Sequence, residues 1–173
     1  MVDKGRFSEK LNFKYKTEYI HTVDGKLTPQ AKPKIEVVFR RFSESKDPEK
    51  NREFRVPALI DSGADVSFLP LKIANLLRLD IDEADEKILT ISGEAHVFTS
   101  KVYVEIPRTG MRPVSIGTID VHIMQKEVDE KYLYKLIILG RRGFFDKFKI
   151  TFNESAKYIT LQNIHKDEIA IRK

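Results

Sequence analysis

Helical periodicity is confined to one short stretch of this chain, and that limits its fold more than any other feature. Pro70 suits a first helical position, and residues 71–79 carry an apolar stripe at Ile73, Leu76 and Leu77. Elsewhere the apolar residues fall in short runs rich in β-branched and aromatic types, at 11–20, 34–42, 53–60, 87–91, 95–106, 114–124, 132–139, 149–152 and 158–161. Runs of this kind between turn residues read as strands. Residues 22–26 carry turn chemistry, Pro29 and Pro33 are expected to break any regular element, and 43–52 reads as a charged surface loop. Residues 141–148 are long enough for a short second helix. The expectation is an all-β chain with one or two short helices.

Composition removes several function classes. A length of 173 residues suits one domain, and 41% hydrophobic content with eleven Phe excludes a disordered chain. With 33% charged residues and no apolar run near 18, nothing in the sequence reads as a membrane span; without an apolar leader either, a cytoplasmic protein is expected. There is no Cys, which removes disulfide scaffolds, thiolate zinc sites and cysteine nucleophiles. The four His (His21, His96, His122, His165) lack metal-ligand spacing, so neither metal nor cofactor is expected. The formal charge of +5 is spread among interleaved acids and bases, and pairs such as Arg40-Arg41 and Arg141-Arg142 stand beside acidic residues. That pattern argues against a nucleic-acid partner. The segment 140–143 is too short for a phosphate loop, no Gly-x-Ser-x-Gly elbow surrounds Ser62, and Phe144, Phe145 and Phe148 read as core.

The chemistry concentrates at residues 58–65, Ala-Leu-Ile-Asp-Ser-Gly-Ala-Asp. An apolar strand stops at a carboxylate, a hydroxyl and a glycine. Asp-Ser-Gly is ordinary turn composition, but apolar residues 66–69 follow at once, which a solvated turn does not require. Burial raises the pKa of a carboxylate at such a strand end unless hydrogen bonds to its charged form compensate, and Gly63 permits a tight turn and close approach of a ligand.

These residues resemble the signature of the retropepsin-like aspartic proteases, in which apolar residues precede Asp-Ser/Thr-Gly-Ala-Asp. A second family signature, an apolar run ending in Gly-Arg, is matched by 136–141, Leu-Ile-Ile-Leu-Gly-Arg. The two stand in the family's order and approximate separation, and the resemblance covers residues 53–162. It implies an acid-protease β-barrel and a homodimer acting on a peptide or protein substrate. One chain holds one Asp-Ser-Gly, whereas hydrolysis of this kind uses two carboxylates that share a proton; two copies would therefore place Asp61 of each on a two-fold axis. The resemblance gives Ser62 a hydrogen bond across the dimer, Gly63 a backbone contact to substrate, and Asp65 an ion pair with Arg141 together with a substrate contact. Ala64, Gly140 and Arg141 would support the loop, and Ser92 and Gly93 would sit at the tip of a substrate-covering hairpin. Two departures stand out: one Gly at that tip where viral members carry several, and Arg142 where Asp or Asn is usual.

The chain is accordingly expected to divide into a strand-forming N-terminal extension (1–33), the protease domain (34–163) and a C-terminal tail (164–173). Residues 11–20, 158–161 and 169–171 are the candidate strands of a dimer interface. Two alternatives remain open: a catalytically silent relative that keeps the dimer as a binding or scaffolding module, and a basic nucleic-acid-binding β domain.

Overall fold

A computed structural model describes residues 10–41, 52–90, 93–125 and 135–163. They fall into two compact units, one of residues 34–144 and one combining 1–33 with 145–173. The described residues are mostly β, with one α-helix.

The first unit holds β4 (Lys34–Arg40), β5 (Glu53–Ile60), β6 (Ser67–Pro70), α1 (Leu71–Leu77), β7 (Asp82–Thr90), β8 (Gly93–Ile106), β9 (Val114–Met124) and β10 (Ile138–Leu139). The strands pair in the order β4-β5-β10-β6-β9-β8-β7. β4 also pairs with β8, so the pairing from β4 round to β8 closes on itself and leaves β7 at an edge. Strand alternation sets the core: Val56, Ala58 and Ile60 of β5 point the same way, as do Val102, Val104 and Ile106 of β8, all at most 2% exposed. Each large side chain buried in this way contributes roughly 1.5–3 kcal/mol.

Helix α1 buries Ile73, Ala74 and Leu77. Pro70 is its N-cap rather than its first residue, because its ψ of 144° is extended and it still pairs with Met124 as the last residue of β6. The helix ends where Arg78 turns left-handed at φ 52°; its N–H and that of Leu79 then donate to Asn75 O and Ala74 O, each at 3.0 Å.

The second unit holds β1 (Lys10–Lys14), β2 (Lys16–His21), β3 (Leu27–Lys32), β11 (Phe148–Asn153) and β12 (Tyr158–Asn163). β12 lies between β1 and β11, and β2 and β3 form a separate ribbon. The single strand expected over 11–20 is split at Tyr15, whose N–H donates to Lys157 O (2.8 Å) and whose hydroxyl donates to Glu154 Oε1 (2.8 Å). Burial, reinforced by the Glu154 carboxylate, pushes that hydroxyl's pKa up to about 12.

Three further expectations are corrected. Pro29 does not break the chain but lies within β3. The N–H of Thr22 donates to Lys26 O, which makes 20/28 and 18/30 the bonded pairs; Pro29, opposite Tyr19, falls on a non-bonded pair where a missing N–H costs nothing. The second helix over 141–148 is a single 3-10 turn at Phe145–Lys147, because Gly143 interrupts the segment with a left-handed φ of 84°. Residues 158–161, expected as an interface strand, lie in β12 with both edges occupied by their own chain, so no edge remains for a partner. Residues 169–171 lie outside the described residues.

Candidate active site

The Asp61 loop joins β5 to β6, and its shape follows from the short strand inserted between them. β10 runs parallel to β5, with Ile138 and Leu139 beside Leu59 and Ile60, and antiparallel to β6 at Phe68. Asp61 continues this ladder by donating its N–H to Leu139 O at 3.1 Å. The chain then turns back: Ala64 N–H donates to Asp61 O at 3.3 Å, and Gly63 N–H donates to the carboxylate Oδ1 of Asp61 at 2.8 Å. That contact orients the Asp61 carboxyl group, which is half-buried, while Ser62, Gly63 and Asp65 are exposed. A Cβ on Gly63 would lie 3.2 Å from the same Oδ1, so glycine keeps this approach open.

The second motif packs directly behind the first. Arg141 N–H donates to Ala64 O (2.8 Å), Arg142 N–H donates to Asp65 O (2.9 Å), and Gly140 N–H donates to the hydroxyl oxygen of Ser67 (3.1 Å). A Cβ on Gly140 would fall 2.2 Å from Val66 O and 2.8 Å from Ala64 O, both backbone atoms, so nothing larger than glycine fits. The expected Asp65–Arg141 ion pair is not formed: among the described residues no ion pair joins these two exposed side chains, and the loops are held through their backbones instead. The structure thus places the backbones of Ala64, Gly140 and Arg141 beside the Asp61 loop. Ser67 is the member that sequence reasoning missed; its signal was a lone hydroxyl within apolar 66–69, and it is 1% exposed.

The β7–β8 hairpin is the element expected from the resemblance to cover a substrate. Gly93 pairs with Thr90 and has φ 113°, a conformation that side chains rarely adopt. Ser92 lies outside the described residues. A row of register partners links this hairpin to the Asp61 strand: Leu59, Ile138, Phe68, His122, Thr99 and Asp82 follow one another across six strands. Register partners share a face, so the row runs from two residues before Asp61 to the root of the hairpin. His122, in its middle, stands edge-on to Phe68 at 5.7 Å between ring centroids. A cavity of about 620 Å³ opens beside it. Sequence gave no sign of this arrangement, since His122 is an ordinary member of an alternating strand. Among the described residues no group of three or more His, Asp or Glu is placed to hold a metal ion.

The chain matches no family model and no curated protein. Among solved structures it is similar to a retropepsin-like aspartic protease from Rickettsia conorii, at 15% identity over 88% of this chain and 98% of that one, with a TM-score of 0.52. A second match is the EIAV protease complexed with the inhibitor HBY-793, at 20% identity over 65% of this chain and 84% of that one, with a TM-score of 0.39. The fold is retropepsin-like, and the first of these structures carries that assignment over 88% of this chain.

Proposed function

We propose that the chain is an aspartic endopeptidase, active as a homodimer in which Asp61 of one protomer and Asp61 of its partner share one proton across a bound water. The observation that carries this reading is the Asp61 loop: a half-buried carboxylate at the end of an internal strand, oriented by the Gly63 N–H at 2.8 Å and braced from behind by the backbone of residues 140–142. A site for general acid–base work needs such rigid placement. The retropepsin-like fold supports the same reading.

Two like charges on the dimer axis do not ionise together, so one Asp61 is protonated while the other is a carboxylate. The carboxylate takes a proton from the water, whose oxygen attacks the peptide carbonyl carbon. The protonated partner donates to the carbonyl oxygen, giving a neutral diol. Collapse of the diol breaks the C–N bond: the dyad's proton passes to the leaving nitrogen, a diol hydroxyl gives its proton back to the dyad as the carboxyl product forms, and one shared proton remains. In this scheme Ser62 bonds across the dimer, Gly63, Asp65, Ser92 and Gly93 meet the substrate backbone, and Ala64, Gly140 and Arg141 hold the loop. No cofactor takes part. With both edges of β12 occupied, an interface built on strand pairing would use the outer edges of β1 and β11.

Incubation with a mixed peptide pool, with and without pepstatin, tests the reading. Cleavage that pepstatin stops, with a bell-shaped pH profile belonging to the dyad as a pair, is expected. A well-folded dimer that cleaves nothing under any condition would replace it with the silent scaffold.

A further inference from the structure

The row of side chains across the sheet includes a histidine, and the proposed reaction does not use it. His122 of β9 is 16% exposed, and its Nε2 lies 3.8 Å from Glu86 Oε2 of β7. These strands are not neighbours, so the Glu86 side chain reaches across β8 to the ring. The other nitrogen, Nδ1, is sealed from water and, among the described residues, has no hydrogen-bond partner. A neutral ring tolerates this by carrying its one proton on Nε2, beside the carboxylate, and leaving Nδ1 a bare acceptor. A protonated ring carries a second N–H at Nδ1 and has nowhere to donate it.

Of the elements around the ring, β7 is the one most easily moved. It is an edge strand with a single partner, and its register with β8 is irregular between Asp82 and Glu86. We propose that His122 is a proton-operated positioning residue for the β7–β8 hairpin: neutral, it seats the hairpin's root against β9; protonated, it must reach water, and the root loosens.

The charges that face the ring set the balance. Glu86 from β7 and Asp120 from β9 favour the proton, while burial and Arg142, next to β10, oppose it; burial is the largest effect, and the ring's pKa falls below the ordinary histidine range. Asp82 of β7, Lys101 of β8 and the Arg41–Asp80 pair (2.7 Å) line the same cavity. Since the seated ring binds its proton more weakly than a hydrated ring, falling pH favours the loosened state, by up to about tenfold for each unit separating the two pKa values. Arg142, the residue that departs from the family pattern, strengthens this bias.

Hydrogen exchange and ring titration by NMR on the full chain test the inference, and neither depends on whether Asp61 hydrolyses anything. Protection of the β7 amides, referred to those of β12 at the same pH, should fall between about pH 7.5 and about pH 5 in the wild type and stay level in His122→Gln. Should that variant fold poorly, Glu86→Gln serves: loss of its attraction should lower the ring's pKa further and widen the acid loosening. A wild-type ring that titrates at or above about 6.5, or equal acid loosening in His122→Gln, overturns the proposal.

Discussion

The Asp61 loop and the β7–β8 hairpin are built on opposite principles within one sheet. The loop is over-determined: two carbonyls of residues 64 and 65 accept N–H groups from 141 and 142, Ser67 takes a third, and Gly140 sits where a single added carbon would strike backbone. In the hairpin, β7 has one ladder with an irregular root, and Gly93 stands at φ 113° where an added Cβ would meet nothing within 4 Å. One region is held by steric exclusion and a close set of backbone hydrogen bonds, whereas β7 in the other is held by pairing along a single edge. A catalytic carboxylate needs the first kind of support, and an element that admits and covers a substrate needs the second.

Substitutions sharpen this contrast. Asp61→Asn keeps the loop's shape and removes the ionisable pair, so peptide cleavage should drop to background with the melting temperature little changed. Gly140→Ala should be the most damaging for stability, costing about 3 kcal/mol or more, since the clash is with backbone rather than a flexible side chain; thermal unfolding reads it. Ser67→Ala leaves the Gly140 N–H without its buried acceptor and should cost about 1–3 kcal/mol in the same assay. Gly93→Ala should cost about 1–2 kcal/mol through backbone strain alone. Its effect should appear as faster exchange of β7 and β8 amides, with loop amides unaffected. Equal sensitivity of Gly140 and Gly93 would dissolve the distinction drawn between the two regions.

The other unit gives a smaller effect with a defined pH sign. Tyr15→Phe removes the hydrogen bond to Glu154 and should cost about 1 kcal/mol near neutral pH. The Tyr15 hydroxyl titrates higher folded, at about 12, than its ordinary value of 10.0, so its contribution is intact below pH 10 and is lost as pH rises towards 12. Glu154 is shifted the other way, its pKa lowered by the Tyr15 and Lys157 contacts, so its contribution is lost as pH falls below the usual carboxylate range. Denaturant unfolding of the variant should show weaker dependence at both extremes.

Much of the first unit was legible because alternation and turn residues carry local information. The limits of β5 and β9 were read to the residue, and the two motifs that meet at the Asp61 loop stood out as Asp-Ser-Gly after an apolar strand and as the apolar run ending in Gly140-Arg141. What escaped depends on partners distant in sequence. Pro29 sits harmlessly in β3 because of a hydrogen-bonding parity fixed by the turn at 22–26. Gly140 and Ser67 meet across 73 positions, and backbone ties of 141 and 142 stand where the resemblance implied a side-chain pair between Asp65 and Arg141. His122 and Glu86 are neighbours only because the β7–β8 hairpin folds back along β9, which no periodicity within either strand records.

The account rests on two Asp61 carboxylates meeting in one site, and mixing subunits tests that most directly. Wild-type chain is allowed to exchange with Asp61→Asn chain at constant total concentration, and peptide cleavage is followed as the proportion changes. Activity should fall with the square of the wild-type fraction, since only dimers carrying two intact carboxylates cleave. A strictly linear fall, with each wild-type chain retaining its full activity in the presence of excess variant, would contradict the shared dyad.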